Sequence, residues 1–211
     1  SLKSIRHMKV QQPSVVLAAS GEELRRFQRH NREWVALKHI APHVREALIA
    51  TEDHRFPQHG GVDYRRLLAS TVYSALGDRQ GGSTITMQLA RNLYPRRIGQ
   101  SSTPVRKLQE VVTAFKIESA YEKDEILETY LNTVPFLYNA YGIEMAARTY
   151  FGKQARQLDV LESATLVGML KATSYYNPVR NPERAQGRRN VVLQQMVKHN
   201  YLTDAQYAEL R

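Results

Sequence analysis

The chain has 211 residues, which is long enough to bury the core of one large domain or of a domain with a small lobe. Its 30 lysines and arginines against 20 aspartates and glutamates give a net charge of +10, which favours anionic partners such as phosphates, nucleic acid or an acidic membrane surface. The lack of cysteine excludes disulfides and thiolate metal sites, and no signal peptide or apolar run of roughly 18 residues is present, so the chain as given is expected to be soluble or peripheral.

Residues 1–40 form a lead-in with weak patterns. Short apolar runs at 14–19 and 33–37 predict two short strands that could pair. From Pro42 on, the pattern changes to one helix after another, so the fold is predicted to be mostly α. The predicted helices end near 50, 76, 93, 121, 131, 171 and 200, with one more at the C-terminus. Their starts carry proline or capping signals at Pro42, Asp63, Ser83 or Thr84, Ser102 or Thr103, Asp124, Asp159, Asn181 and Thr203.

The first stretch with chemical content is 51–63, which combines adjacent carboxylates, two histidines and a glycine pair. Glu52 falls near the C-terminal end of the first predicted helix, where the negative end of the helix dipole disfavours a charged carboxylate. Such a group suits general acid–base chemistry. The alternative is an ordinary turn at Gly60–Gly61, with Asp63 capping the next helix.

The second stretch, 81–92, starts with two glycines followed by hydroxyls at a helix start. Free backbone N–H groups there form a ready anion site. Helical spacing places Thr84, Gln88 and Arg91 on one face, which would present a hydroxyl, an amide and a guanidinium together. The alternative is a glycine turn and an ordinary capped helix, and the lack of a Gly-Lys-Ser/Thr ending disfavours a nucleotide loop.

Three further stretches are ambiguous by themselves. Arg106 and Lys107 both lie over Glu110 at helical spacing, which predicts either a surface salt bridge of roughly a few tenths of a kcal/mol or a carboxylate held beside two phosphate-binding cations. The amphipathic stretch 123–132 predicts a scaffold helix. Lys171 ends an apolar helix, so its amine either reaches solvent or is aimed at an anion.

Together these five stretches resemble the peptidoglycan glycosyltransferase family 51, the transglycosylase domain of class A penicillin-binding proteins and monofunctional transglycosylases. The resemblance covers about 35–196. Its motifs are Glu-Asp-x-x-Phe-x-x-His-x-Gly-x-Asp at 52–63, Gly-Gly-Ser-Thr-x-Thr-x-Gln-Leu at 81–89, Arg-Lys-x-x-Glu at 106–110, Ile-Leu-Glu-x-Tyr-Leu-Asn at 126–132 and Lys-x-x-Ser-x-Tyr-Asn-Pro at 171–178, followed by Arg-Arg-Asn-Val-Val-Leu at 188–193. The small departures are Met87, where glutamine is common, Arg91, where lysine is usual, and Leu68-Ala69, where the family often has Arg-Ala.

The resemblance implies a lysozyme-like helical glycosyltransferase domain over 41–211 with a short β segment in the lead-in. It also implies a smaller jaw lobe, about 64–104, that faces the membrane. The apolar stretch 67–76, flanked by Arg65, Arg66 and Arg79, is the candidate lipid-facing segment. The alternative for this stretch is an ordinary core helix.

The implied activity is polymerisation of lipid II into β-1,4-linked glycan strands, with inversion and release of undecaprenyl pyrophosphate. Glu52 then resembles the general base, and Glu110 lies near the pyrophosphate and sugar of the donor. Arg91, Arg106, Lys107 and Lys171 would stabilise the leaving group. The remaining expected substrate-site residues are Asp53, Phe56 and His59, which support Glu52, and Ser83, Thr84, Gln88 and Asn92, which position phosphate and sugar hydroxyls.

The implied partners are lipid II, the lipid-linked glycan chain, the surface of the bacterial inner membrane on its periplasmic or extracellular face, and moenomycin-type inhibitors. No cofactor is required, with Mg or Mn as an optional divalent cation, and no metal-ligand set is predicted. Family members usually carry an upstream spanning helix, which is absent here, so the opening stretch 1–9 is expected to be a cut or tagged start. The lead-in favours a class A enzyme.

Two alternatives belong to other classes. A lysozyme-like peptidoglycan hydrolase would use the same carboxylate pair with water as acceptor, but it would leave the four cations unexplained. A nucleic-acid-binding helical domain would explain the net charge of +10 but not the carboxylates among the cations, so no nucleic acid is expected as a partner.

Overall fold

The computed structural model describes residues 14–21, 23–27, 31–68, 81–99 and 103–211, and helices dominate this part of the chain. The α-helices are α1 (Pro42–Glu52), α2 (Ile85–Leu93), α3 (Pro95–Ile98), α4 (Pro104–Glu118), α5 (Lys123–Thr133), α6 (Ile143–Phe151), α7 (Val160–Met169), α8 (Pro182–Lys198) and α9 (Asp204–Leu210). Single-turn 3₁₀ helices lie at Leu37–His39, Phe56–Gln58 and Ala155–Gln157, and a further helical segment is described over 64–68. The prediction of a mostly α fold is confirmed.

Most helix starts follow the capping signals of the sequence. Side-chain caps begin α2, α4, α7 and α9, where the capping residues are Thr84, Thr103, Asp159 and Thr203. Each cap satisfies a backbone N–H that the helix itself leaves unpaired, which contributes about 1 kcal/mol. Helix α5 begins one residue before the predicted Asp124, because a capping box joins Glu122 and Glu125 there.

Helix α6 carries no such signal, and the sequence patterns do not predict it. It is flanked by Gly142 and Gly152, whose φ angles are 83° and 67°. A Cβ atom on Gly142 would lie 2.7 Å from the carbonyl oxygen of Asn132, so only glycine permits this close approach between α5 and the start of α6. The helix is therefore bounded by backbone geometry and not by side-chain caps.

The described lead-in contains short strands. Strand β1 (Ser14–Leu17) pairs antiparallel with β2 (Glu23–Phe27), so a strand within 14–19 is confirmed. Strand β3 (Asn31–Arg32) pairs in parallel with β4 (Ala140–Tyr141), which lies between α5 and α6.

The strand predicted at 33–37 is wrong. Side chains of α5 take the hydrogen bonds that a strand partner would have taken: Trp34 Nε1 and the Leu37 backbone N–H donate to Glu128 at 2.9 and 3.0 Å. The amide of Asn132 both accepts from the Val35 N–H at 2.9 Å and donates to its carbonyl at 2.8 Å. Because these partners satisfy the backbone, the segment crosses α5 as an irregular chain.

The hydrophobic core fixes α1 and α2 relative to each other. Helix α1 packs against α7 and α8, while α2 packs against α4 and α5. Leu48 of α1, Leu166 of α7, Leu193 of α8 and Leu89 of α2 are completely buried in one continuous cluster. Burial of one such side chain contributes roughly 1.5–3 kcal/mol. The C-terminus of α1 and the polar side of α2 are therefore held together on a rigid support.

The predicted jaw falls partly outside the described residues, which omit 69–80 and 100–102. The predicted lipid-facing stretch 67–76 is thus described only at its first two residues. Leu67 is half-buried against a small cluster that contains Met87 and Ala114, whereas Leu68 is 70% exposed. Of these two residues, only Leu68 fits a lipid-facing surface. Within the described ranges, no helix is long and apolar enough to cross a membrane.

Candidate active site

Glu52 is the last residue of α1, and its carboxylate meets the middle of α2. Gln88 Nε2 donates a hydrogen bond to Glu52 Oε2 at 2.9 Å. Tyr130 of α5 donates to Gln88 Oε1 at 2.9 Å, which fixes the orientation of the Gln88 amide because its oxygen must face the hydroxyl. Burial raises the pKa of Tyr130 well above its ordinary value, so the phenol remains a donor. The side chain of Glu52 keeps 15% exposure, which leaves the carboxylate accessible.

The loop that follows Glu52 is fixed by hydrogen bonds of Asp53. The Asp53 carboxylate lies 3.0 Å from His59 Nε2, and it accepts the backbone N–H of Ile85, the first residue of α2, at 3.1 Å. Because a carboxylate can only accept, His59 Nε2 carries the proton. The Phe56 ring packs edge-on to His59, with 6.1 Å between their centroids. Asp53 and Phe56 are buried, and their proposed role in supporting Glu52 stays a prediction.

The rest of the loop is tied to the next helical segment. Asp63 accepts the backbone N–H of Arg66 at 3.0 Å and Arg55 Nε at 2.8 Å, so Asp63 caps the helical segment at 64–68 as the turn hypothesis predicted. Burial by itself would raise the pKa of Asp63, but the hydrogen bonds from Arg66 and Arg55 bring that pKa below its ordinary value. The guanidinium of Arg66 also donates to the Glu52 and Gly81 carbonyls and so joins the end of α1 to the loop before α2.

Glu110 of α4 is buried among cations. Arg106 Nε and Lys107 Nζ each lie 3.4 Å from its carboxylate, and Arg91 Nη1 lies 3.9 Å away. Glu110 is only 1% exposed, so the hypothesis of a surface salt bridge is wrong. The cations outnumber the carboxylate, and the surplus positive charge is suited to an anion.

Lys107 joins this cluster to the loop before α2. Its Nζ donates to Ser83 Oγ at 2.5 Å, so Ser83 and Glu110 share one lysine. Burial lowers the pKa of Lys107 below its ordinary value, while the nearby Glu110 carboxylate opposes that change.

Helix α2 brings the two carboxylates to one side of the molecule. Gln88, which holds Glu52, and Arg91, which faces Glu110, lie one turn apart on this helix. The prediction that Thr84 presents its hydroxyl on the same face is wrong. Thr84 is completely buried: it donates to the Gly61 carbonyl at 2.6 Å and accepts the Met87 N–H at 3.2 Å.

Two predicted site residues are not joined to this arrangement. Asn92 is half-buried at the end of α2, and Lys171 is exposed just beyond α7. Neither side chain makes a hydrogen bond or an ion pair with another residue of the described part of the chain. Their roles stay predictions.

Two contacts to the Glu52–Gln88 pair were missing from the sequence prediction. Tyr130 was assigned to the scaffold, but its hydroxyl orients Gln88. Arg188 of α8 places Nη2 3.9 Å from Glu52 Oε1, and its only sequence signal is its place in the 188–193 motif. Gly168 of α7 makes room for it, because a Cβ there would lie 3.2 Å from Arg188 Cγ.

No metal site is evident near this arrangement. Among the described residues, no group of three or more histidine, aspartate and glutamate side chains could hold a metal ion.

Comparisons with known proteins give consistent matches. The family model described as Transglycosylase matches residues 20–197. The chain is 40% identical over 210 residues to penicillin-binding protein 1A of Escherichia coli (strain K12), a match that covers 99% of this chain and 24% of that protein. It is 40% identical over 204 residues to penicillin-binding protein 1A/1B of Bacillus subtilis (strain 168), covering 95% of this chain and 22% of that protein.

A solved structure agrees with these sequence matches. The 2.6 Å crystal structure of penicillin-binding protein 1A from Haemophilus influenzae superposes with a TM-score of 0.54 at 26% identity. The superposition covers 95% of this chain and 20% of that one. The chain thus spans about a quarter of the length of the curated relatives that it matches.

Proposed function

The chain belongs to the transglycosylase family, and from that premise we propose that it is a peptidoglycan glycosyltransferase that polymerises lipid II. The 4-hydroxyl of the acceptor sugar attacks C1 of the sugar at the lipid-linked end of the growing chain. A β-1,4 bond forms, and undecaprenyl pyrophosphate leaves with inversion at C1.

One observation carries this proposal: α2 joins an accessible carboxylate to a cation cluster. Gln88 holds Glu52 at 2.9 Å, and one turn further along Arg91 lies 3.9 Å from Glu110, beside Arg106 and Lys107. A transfer from a pyrophosphate needs a base for the attacking hydroxyl and positive charge for the leaving group. Both requirements are met on one side of the same helix.

Glu52 acts as the general base. The hydrogen bond from Gln88 occupies Oε2 and leaves Oε1 as the oxygen that takes the proton. Asp53, the next residue along the chain, is fixed by hydrogen bonds to His59 and to the Ile85 N–H, which restrains the backbone that carries Glu52. Such positioning matters because proton transfer needs the base within hydrogen-bond reach of the hydroxyl.

The leaving group binds at the Glu110 cluster. A pyrophosphate is already stable as an anion, so it needs stabilisation of charge more than a proton. Arg91, Arg106 and Lys107 supply that charge, Glu110 orients them, and Ser83 adds a hydroxyl beside Lys107. Lys171 approaches the same anion from outside this cluster when the substrate is bound, and Asn92 contacts a sugar hydroxyl.

A lysozyme-like hydrolase is the weaker candidate. Its substrate carries no pyrophosphate, so three cations around one buried carboxylate would have no partner.

The membrane partner is supported by an apolar surface on α4, which we call the α4 stripe. Its members are exposed large apolar side chains at helical spacing, Val105, Leu108, Val112 and Phe115, together with Tyr64 and Leu68 of the neighbouring segment. The Tyr64 and Phe115 rings lie 6.4 Å apart, which joins the two parts. Contiguous exposed apolar surface marks an interaction site, and the exposed Arg65 and Lys116 beside it favour an anionic bilayer.

These features support a catalytic domain over 41–211 that rests on the outer face of the bacterial inner membrane through the α4 stripe and the adjoining jaw, about 64–104. Moenomycin-type phosphoglycolipids would then compete for the cation cluster. Mg or Mn could assist by neutralising the pyrophosphate, and no nucleic acid is involved.

Polymerisation of purified lipid II by this chain in detergent tests the proposal. The products are separated on a gel with and without muramidase, and released undecaprenyl pyrophosphate is measured. We expect a ladder of glycan strands that muramidase removes, with one pyrophosphate released per bond formed. Absence of polymer together with release of free disaccharide–peptide would instead indicate hydrolysis and overturn the proposal.

A further inference from the structure

The two oxygens of the Glu52 carboxylate have different surroundings. Oε2 accepts the Gln88 hydrogen bond at 2.9 Å. Oε1 faces Arg188 Nη2 at 3.9 Å, which is too long for a direct hydrogen bond. The carboxylate is therefore fixed on one side and opposed by a cation across a gap on the other.

Arg188 is held firmly in this position. Its stem passes over Gly168, and its guanidinium lies over the Tyr176 ring, 5.9 Å from the ring centroid. The side chain is only 12% exposed, and its buried Nε has no hydrogen-bond partner within the described part of the chain. A buried guanidinium with unused donors beside an accessible carboxylate is costly unless a ligand completes it.

The 3.9 Å between Arg188 Nη2 and Glu52 Oε1 is too short for an oxygen on the line between them, but an oxygen beside that line can reach both atoms. An oxygen that lies about 2.8 Å from each of two atoms can bridge any separation below about 5.6 Å, so the 3.9 Å between Nη2 and Oε1 permits a bent bridge. A hydroxyl there can accept from the guanidinium and donate to the carboxylate at the same time.

We infer that Arg188 binds the attacking hydroxyl of the acceptor sugar together with Glu52 Oε1, which makes it a second catalytic residue of the acceptor side; this inference rests on the proposed glycosyl transfer. As the reaction proceeds, the O–H bond breaks and its proton passes to Glu52 Oε1. The oxygen forms its bond to C1 while the C1–O bond to the pyrophosphate breaks and the electron pair leaves with the pyrophosphate. Arg188 stabilises the negative charge that develops on the attacking oxygen.

A neighbouring pair provides a matched control. Arg184, one turn before Arg188 on α8, lies 4.4 Å above the ring of Tyr175, which is 51% exposed. Arg184 and Tyr175 thus make the same kind of cation–aromatic contact as Arg188 and Tyr176, but Arg184 does not face Glu52. Arg184→Met therefore removes a similar contact without touching the proposed hydroxyl site.

The test compares Arg188→Met, Arg188→Lys and Arg184→Met in lipid II polymerisation, with rates normalised to the number of sites that bind moenomycin. We expect Arg188→Met to lower kcat by about 100-fold, in the range found when one donor to a developing oxyanion is removed. Arg188→Lys should retain more of the wild-type kcat than Arg188→Met, because lysine keeps the positive charge. It should not reach the wild-type kcat, because it lacks the planar donors of the guanidinium. Arg184→Met should match the wild type, and moenomycin affinity should stay within about twofold in all three variants.

The outcomes separate this inference from the proposed function. If the wild type polymerises lipid II and Arg188→Met keeps at least a third of its normalised kcat, Arg188 does not bind the hydroxyl. A parallel loss of moenomycin binding and activity would mean that Arg188 only maintains the fold, which also overturns the inference. If Arg188→Met does not fold, Arg188→Lys decides: a normalised kcat equal to that of the wild type refutes a role for the guanidinium fork. A wild type without polymerase activity instead contradicts the proposed function itself.

Discussion

Gln88 and Arg91 lie one turn apart on α2 and contact two different carboxylates, Gln88 at 2.9 Å from Glu52 and Arg91 at 3.9 Å from Glu110. A rigid helix therefore sets the spacing between the proposed base and the proposed pyrophosphate site. A change on either side can be tested separately, because each carboxylate has its own partners.

Glu52→Gln should abolish polymerisation while the fold is retained. The amide has nearly the same shape as the carboxylate but cannot take the proton. We expect less than about a hundredth of the wild-type rate, which is the lower end of what a general base contributes. Moenomycin affinity and the melting temperature should change little; a variant that keeps more than this rate would show that Glu52 is not the base.

Tyr130→Phe should lower the rate through Gln88. Without the phenol, Oε1 of the half-buried Gln88 loses its donor, at a cost of about 0.5–1.5 kcal/mol, and the amide no longer has a fixed orientation. We expect kcat per folded molecule to fall by about tenfold, because misplaced catalytic groups are inefficient. Tyr150→Phe is the control, since its hydroxyl donates to the Phe136 carbonyl at 2.6 Å. Equal losses of kcat in both variants would contradict a role for the Tyr130–Gln88 bond.

Arg106→Ala and Lys171→Ala should weaken binding of moenomycin-type phosphoglycolipids. Under the proposed function each change removes one charge-assisted contact to phosphate, so calorimetry should show a loss on the order of 1.5–3 kcal/mol for each variant. Arg156→Ala serves as a control, because Arg156 is an exposed cation in the 3₁₀ helix Ala155–Gln157. Unchanged affinity in either variant would remove that residue from the phosphate site.

The α4 stripe should bind membranes without contributing to stability. Val105 and Leu108 are 65% and 64% exposed, so replacing both with serine should leave the melting temperature nearly unchanged, as expected for surface positions. Binding to vesicles with anionic lipid should fall and should weaken further with salt. Leu67→Ser should instead lower the melting temperature without a specific loss of vesicle binding, because Leu67 packs against the cluster of Met87 and Ala114. Full vesicle binding by the double variant would refute a lipid contact of the stripe.

His54 and His199 should make the stability of the active-site loop depend on pH. Their rings stack with centroids 4.5 Å apart, which joins the loop after Glu52 to the end of α8. Burial lowers the pKa of both histidines. The neighbouring charges that add to this effect are Arg66 and Arg55 for His54, and the partner ring and Lys198 for His199, while Asp53 and Asp63 oppose it at His54.

A histidine whose pKa in the folded state lies below its ordinary value of about 6.5 contributes stability above that pH and loses the contribution as the pH falls through the folded pKa. The melting temperature of the wild type should therefore fall more steeply from about pH 7 to about pH 5 than that of His199→Asn. His39→Asn, outside the stack, should follow the wild type. Parallel curves for all three proteins would exclude this coupling.

Local signals of the sequence predicted the elements that depend on local chemistry. The starts of α4, α7 and α9 could be predicted, because a side chain that caps the helix precedes each of them: Thr103, Asp159 and Thr203. Helix α6 was not predicted, because its limits are set by the backbone conformations of Gly142 and Gly152 and not by capping side chains. The strand predicted at 33–37 failed because α5, far away in the chain, supplies its hydrogen-bond partners through Glu128 and Asn132.

In the candidate site, too, features set by the local sequence could be predicted and contacts between distant segments could not. The motifs identify Glu52, Gln88 and Glu110, and the structure places Gln88 against Glu52. The contacts of Tyr130 and Arg188 were not predictable, because α5 and α8 reach the site only after the chain has folded back on itself. The burial of the Thr84 hydroxyl has a similar origin, since its acceptor is the carbonyl of Gly61 in a separate loop.

The hydrogen bond between Asp53 and the Ile85 N–H has a consequence for how the molecule opens. Ile85 and Leu89 of α2 are completely buried, so this amide belongs to a part of the protein that exchanges its hydrogen with solvent only in large-scale openings. The loop that follows Glu52 is anchored to that same amide through Asp53. Fraying of the chain ends can therefore occur without releasing the loop, and catalytic geometry should be lost in the same cooperative step that melts the core.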